Sequence, residues 1–183
     1  MKRILLLCLL LAWDPAVAAG FDRVLPERSA VAFTFKQMGV AVEGRFRRLA
    51  GRIAFDPARP QSGSAELEVD LGSIDAGSDE AGDEARSRNW FDLARFPAAR
   101  FVSTGVAPLG GGRYRITGRL TIKGITRELS VPASFVREGA LGRFEGGFAL
   151  KRLEFRIGEG VWADTETVAD EVQVRFRIVV APA

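Results

Sequence analysis

Histidine is absent from this 183-residue sequence, and its single cysteine, Cys8, lies in an apolar run at the N-terminus. Without histidine there is no Ser–His or Cys–His nucleophile pair and no histidine metal ligand. Neither a Gly-x-Ser-x-Gly nor a Ser-x-x-Lys motif is present. If Cys8 is removed with a leader, no disulfide can form and the core alone stabilises the fold. We therefore expect a protein that is not an enzyme and needs no cofactor.

Two acidic groups are the candidates for a calcium site: Asp79-Glu80/Asp83-Glu84 and Asp164/Glu166/Asp170/Glu171. Neither group has the alternating loop spacing with a central glycine, so we expect no metal. The net charge is +3, from 26 Lys and Arg against 23 Asp and Glu. The basic residues alternate with acids along the predicted strands instead of clustering. This pattern is typical of a solvated exterior and argues against nucleic acid as a partner.

Residues 1–19 read as a secretory signal peptide. Lys2 and Arg3 precede an apolar run, and small residues suited to cleavage follow at 16–19. The run is too short to span a membrane as a mature helix, and no later run is long enough. The sequence therefore predicts export to the periplasm and one mature domain over residues 20–183.

Apolar and polar residues alternate through most of that domain. In the stretch from Gly118 to Phe135 this period of two is interrupted only at Lys123-Gly124, which predicts a β-hairpin with one apolar face. Repeats of the pattern predict eight to nine antiparallel strands. The segment from Ser78 to Arg88 breaks the rhythm and predicts one short helix with Ser78 as its N-cap. A closed antiparallel barrel fits best, with a sandwich as the alternative.

The inward-facing positions are the predicted lining of an apolar channel that holds a ligand. They are mainly aliphatic and phenyl side chains, with the Tyr114 hydroxyl as one polar tip: Phe33, Phe35, Val42, Gly44, Phe46, Ile53, Phe55, Leu67, Val69, Phe101, Tyr114, Ile116, Gly118, Leu120, Leu129, Val131, Phe144, Phe148, Val174 and Phe176. Trp90, Phe91 and Trp162 fall in irregular segments. They either plug a barrel end as core or act as a gate for the ligand.

Four glycines fall in the inward register: Gly44, Gly51, Gly118 and Gly146. They either bend the strands at barrel corners or leave room for a channel, and the two roles are compatible. The channel hypothesis predicts that Gly118→Leu reduces copurifying lipid without unfolding the protein.

Three groups of residues, taken together, resemble the YceI family. They are Gln37-Met38-Gly39-Val40 with Glu43 to Phe46 and Gly51 to Asp56, then Asn89-Trp90-Phe91-Asp92 with Phe96-Pro97 and Phe101-Val102-Ser103, then Gly118 to Thr126. The resemblance covers about residues 21 to 180. Many relatives carry a histidine where this chain has Gln37-Met38, and a histidine in the helical insertion, which this chain lacks.

The resemblance implies a lipocalin-like, eight-stranded barrel that binds a polyisoprenoid, such as a quinone or an isoprenyl phosphate, for transport, storage or sequestration. Arg86 and Arg88 either contact the ligand head group or pair with acids of their own helix. The alternative function is a non-enzymatic envelope-stress or redox-partner protein with a filled core. Contact with a membrane surface or membrane redox protein, and a homodimer, stay open.

Overall fold

The computed structural model describes residues 20–182, so the predicted signal peptide lies outside the described residues. Eleven β-segments form one sheet: β1 (Phe21–Val24), β2 (Ala30–Gln37), β3 (Val40–Phe46), β4 (Leu49–Phe55), β5 (Ser64–Asp70), β6 (Ile74–Asp75), β7 (Ala98–Gly110), β8 (Arg113–Ile122), β9 (Ile125–Glu138), β10 (Leu141–Lys151) and β11 (Glu171–Pro182). One α-helix, α1 (Asp79–Arg86), follows β6. Short 3-10 turns occupy much of the remainder.

These segments make an eight-stranded antiparallel barrel because three pairs of them act as interrupted single strands. β1 and β2 together pair with β3 and β4, while β5 and β6 pair with β4 and β3. The remaining strands follow one another around the sheet from β7 to β11, each paired with its neighbours in sequence. The predicted fold class, a closed lipocalin-like barrel with one short helical insertion, is confirmed.

Closure depends on β1, a strand that the alternation in the sequence did not reveal. Phe21 is opposite Phe55 of β4 on one side and Pro182 of β11 on the other. The Phe21 side chain is only 1% exposed and packs in the core. β1 therefore closes the sheet between β4 and β11 at this end, while β2 pairs with β11 further along the same strand.

The hairpin of β8 and β9 has the register that its sequence predicts. Ile122 lies opposite Ile125, and Lys123 and Gly124 form the turn with φ of 51° and 74°. The N-cap of α1 is also as expected, because the Ser78 hydroxyl accepts a hydrogen bond from the Ala81 amide. α1 is shorter than the predicted span and ends at Arg86.

A core cluster closes one end of the barrel. The rings of Phe55, Phe135 and Phe144 lie 4.8–4.9 Å apart, centroid to centroid. Tyr114 meets Phe55 edge-on at 5.2 Å, and Phe21 meets Phe135 in the same way at 5.2 Å. Aromatic pairs in this geometry add stability beyond the area they bury. This end is solid, so any space for a ligand has to lie towards the other end.

Candidate functional site: an apolar cavity in the barrel

A cavity of about 550 Å³ occupies the barrel interior above this aromatic cluster. Ile53, Phe55 and Phe144 belong both to the cluster and to the cavity wall, so they form its floor. The strands line it with mainly apolar side chains, because each strand directs alternate side chains inward. The volume falls in the range typical of small-molecule sites.

Nineteen of the 23 predicted lining residues are part of the cavity wall: Phe33, Phe35, Phe46, Ile53, Phe55, Leu67, Val69, Trp90, Phe91, Phe101, Ile116, Leu120, Leu129, Val131, Phe144, Phe148, Trp162, Val174 and Phe176. Several of them, including Phe35 and Val174, are only half-buried although they face inward. The space beside them accounts for that exposure. Whether these side chains contact a ligand stays a prediction.

The other four predicted positions, Val42, Gly44, Tyr114 and Gly118, lie outside the wall. Tyr114 is buried in the aromatic cluster of the closed end, below the cavity. Val42 lies opposite Phe35, on the half of β3 that pairs with β2 alone. That half of β3 lies beside the gap in the sheet, and Val42 is half-buried there without lining the cavity.

The two glycines are excluded for a different reason, since a phenyl ring covers each of them. A Cβ atom at Gly44 would collide with the ring of Phe33, its cross-strand partner, and one at Gly118 would collide with Phe101. Gly146 and Phe176 repeat the arrangement. These glycines therefore make room for neighbouring rings and do not hollow out the channel. These contacts argue against the expectation that Gly118→Leu leaves the fold intact, since a larger side chain there would displace the Phe101 ring and the carbonyl of Val102.

The cavity opens beside α1. Glu80 and Glu84 of the helix, Gln37 at the end of β2 and Trp162 contribute to the wall there. β6 pairs with only Arg45 and Phe46 of β3, so a gap in the sheet begins where this pairing ends. The predicted helical insertion is thus placed at the mouth of the site. The acidic side chains of α1 and the Gln37 amide were not predicted as site residues.

Two tryptophans and a buried arginine cover this end of the barrel. The ring centroids of Trp90 and Trp162 are 5.6 Å apart, and the guanidinium carbon of Arg152 lies 5.6 Å from the centroid of the Trp90 ring. Trp90 Nε1 is buried without an acceptor among residues 20–182, so ring contacts hold the side chain. Both indoles face the cavity, and their roles as plug and as gate remain compatible with this position.

Arg152 is a wall residue that the sequence did not reveal. Its side chain is 1% exposed and donates four hydrogen bonds to backbone carbonyls. The acceptors belong to Ile157, Gly158, Val168 and Ala169. Burial lowers the pKa of Arg152 from its usual value, although the group stays charged. In the sequence it follows Lys151 in an irregular charged segment, where a solvated side chain is the ordinary expectation.

Neither arginine predicted to contact a head group faces the cavity. Arg86 donates to the Asp83 carboxylate at 2.8 Å and to the carbonyls of Gly72 and Ile74. Arg88 is exposed and lines a separate hollow of about 160 Å³ on the outside, together with Arg95, Lys123 and Arg156. The arrangement matches the alternative in which Arg86 pairs with an acid of its own helix.

The described residues contain no helix long and apolar enough to cross a membrane. Within residues 20–182, no group of three or more acidic side chains is arranged to hold a metal ion.

Comparison with known proteins adds family and fold. Residues 23–180 match the YceI-like domain model. A UPF0312 protein of Shewanella denitrificans is 35% identical over 140 residues, covering 73% of each chain. The crystal structure of Burkholderia cenocepacia BcnA is 42% identical with a TM-score of 0.80, covering 82% of this chain and 95% of that one. The polyisoprenoid-binding domain of Saccharophagus degradans has the same fold, with a TM-score of 0.72 at 16% identity, covering 90% and 99%. Because this match spans nearly all of the described residues, the chain belongs to the YceI-like domain family.

Proposed function

We propose that the protein binds the apolar tail of a polyisoprenoid lipid in the barrel cavity and carries or sequesters it in the periplasm. The observation that supports this is the cavity itself, about 550 Å³ with an almost wholly apolar wall. A polar metabolite would lose its water there without gaining partners, whereas a hydrocarbon tail gains about 25 cal/mol for each Å² it buries. The Saccharophagus degradans domain, which has this fold, is a polyisoprenoid-binding domain.

The volume sets the length of tail that fits. At about 30 Å³ for each water-sized group, 550 Å³ holds roughly 18 such groups, or between three and four isoprene units. A longer tail would extend through the mouth beside α1. The wall is formed by aliphatic and phenyl groups, so it selects for length and shape more than for chemistry.

Extraction of the purified protein with organic solvent, followed by mass spectrometry, tests the proposal. Val174→Trp places an indole in the cavity, because Val174 lines the wall between Phe33 and Phe148. Gln173→Trp is the matched control, since Gln173 is the preceding residue of β11 and is exposed on the other face. We expect isoprenoid in extracts of the wild type and the control, and at least a tenfold loss in Val174→Trp.

A barrel that is reproducibly empty, and that also fails to bind added isoprenoids, would overturn the proposal. Equal lipid in both tryptophan variants would place the ligand outside this cavity. The alternative function, an interaction protein for an envelope-stress or redox partner, predicts a filled core. The cavity in the barrel does not match that expectation.

The periplasmic location is part of the proposal and rests on the N-terminal sequence. Fractionation of expressing cells, with N-terminal sequencing of the mature protein, tests it. We expect a chain that starts near Gly20 in the periplasmic fraction, and an uncleaved chain in the cytoplasm would contradict it.

A further inference from the structure

We infer that the cavity accepts isoprenoids with an uncharged or cationic head group and discriminates against isoprenyl phosphates. This inference rests on the proposed function and narrows its ligand class. It depends on which charges a head group would meet once the tail lies in the barrel.

The charged residues of the cavity wall, within residues 20–182, are Glu80, Glu84 and Arg152. The two glutamates lie on α1 at the mouth, where a head group would remain when the tail is inside. Glu80 is exposed and Glu84 is half-buried. A hydrogen bond with its own backbone amide, near the helix N-terminus, lowers the pKa of Glu80, so this side chain is ionised at neutral pH.

Arg152, the only cation that residues 20–182 contribute to the wall, is already engaged. Its guanidinium donates to the carbonyls of Ala169, Ile157, Gly158 and Val168 at 3.1, 2.9, 3.2 and 2.6 Å. A phosphate could recruit it only by breaking these bonds and uncovering buried carbonyls, which costs more than a surface ion pair returns. Arg152 is therefore part of the wall and is not a phosphate ligand.

The arginines that could neutralise a phosphate point elsewhere. Arg86 is bound to Asp83 and to two carbonyls, and Arg88 lies over the outer hollow. A phosphate at the mouth would thus meet two carboxylates and no available cation of the described wall. A phosphate near pH 7 carries between −1.5 and −2 charges, so the repulsion is substantial at low ionic strength.

The Gln37 side chain suits an uncharged head group. It is exposed and lines the mouth, where its amide can reach a ligand. An amide both donates and accepts, so it can pair with the hydroxyl of an alcohol or the carbonyl of a quinone. Neither group is repelled by Glu80 and Glu84.

The test compares three ligands with one four-unit tail: the isoprenoid alcohol, its monophosphate and its primary amine. Binding is followed at low salt by the fluorescence of Trp90 and Trp162, which both line the cavity. We expect the alcohol and the amine to bind at least about tenfold more tightly than the phosphate, and 0.5 M salt to remove most of the difference. In Glu80→Gln/Glu84→Gln the affinity for the phosphate should rise relative to that for the alcohol, by most of that factor.

Glu68→Gln/Glu128→Gln is the control, because it removes two carboxylates from exposed positions on β5 and β9 that do not line the cavity. This variant should keep the discrimination of the wild type. Equal affinity for phosphate and alcohol in the wild type would overturn the inference and leave the proposed function standing. Failure of all three ligands to bind would instead contradict the proposed function.

Discussion

The guanidinium carbon of Arg152 lies 5.6 Å from the centroid of the Trp90 ring, and the two side chains together cover one end of the cavity. Arg152 contributes more than this contact, because its four hydrogen bonds hold two parts of the irregular segment between β10 and β11, at Ile157–Gly158 and at Val168–Ala169. The position of Trp90, and with it the shape of the site, therefore depends on a charge buried at 1% exposure.

Removing that charge should destabilise the fold strongly. In Arg152→Met the carbonyls of Ile157, Gly158, Val168 and Ala169 lose their donor, so we expect a loss of about 3 kcal/mol or more in the free energy of unfolding. Urea denaturation followed by circular dichroism measures it. Arg175→Met is the control, because Arg175 is exposed and makes a long surface ion pair with Glu43 at 3.5 Å. This substitution should change the free energy of unfolding by less than about 0.5 kcal/mol. Similar losses in both variants would contradict this role.

Affinity should rise with tail length and then level off. Isoprenoid alcohols of two, three and four units should each gain on the order of 2 kcal/mol per unit, because each added unit leaves water for the cavity. Beyond four units the added carbons extend through the mouth and should contribute little. Fluorescence titration of Trp90 and Trp162 measures the series. A steady gain up to eight units would mean that the occupied space is larger than 550 Å³.

Gly118→Ala should destabilise the barrel, because the new Cβ would lie 2.7 Å from the carbonyl oxygen of Val102 and collide with the ring of Phe101. Overpacking of this kind costs about 2 kcal/mol. Gly82→Ala is the control of opposite sign, since Gly82 lies in α1 and its nearest contact would be the Arg86 guanidinium at 3.4 Å. Alanine there should stabilise the helix by about 0.5–1 kcal/mol. Thermal unfolding of both variants checks the pair, and a neutral Gly118→Ala would show that the ring moves aside.

Stability should be nearly constant at neutral pH and fall in acid. Hydrogen bonds from Arg47, at 2.8 Å, and from Arg45 lower the pKa of Asp75 below its ordinary value. The unfolded chain, with a carboxyl pKa near 3.9, then binds protons first, so this contribution is present above about pH 4 and is lost as the pH falls through the folded pKa. Asp75→Asn should therefore be less stable than the wild type at pH 7, and the difference should shrink as the pH falls through the folded pKa of Asp75. Urea midpoints across that range test this, and a constant difference at all pH values would contradict it.

The strands could be predicted from sequence wherever the alternation is long, as in β8 and β9, since a buried face fixes the register. β1 could not, because four residues before Pro26 are too few to show a period. The lining was largely predictable for the same reason as the strands. The exceptions depend on tertiary structure: the ring of Phe101 over Gly118 follows from how neighbouring strands pack, which no periodicity records.

The chemistry of the mouth was harder to predict. Glu80 and Glu84 resemble any acids on an exposed helix, and only the position of α1 beside the gap in the sheet gives them a role. The burial of Arg152 could not be predicted either. Its hydrogen-bond partners are backbone carbonyls, and these are the same whatever the side chains are. Sequence patterns report which face is buried, but not which buried polar group is satisfied by the backbone.

β1 has a consequence for how the chain is assembled. Phe21 of β1 pairs with Pro182 of β11. This pairing cannot form until β11 has been synthesised. While the chain emerges N-terminus first, the sheet is not yet closed and has two unpaired edge strands. Such edges tend to pair with other chains. The last residues of β11 therefore complete this end of the barrel. A truncation that removes them should leave Phe21 without its partner and expose that end, while the pairing of β11 with β2 remains.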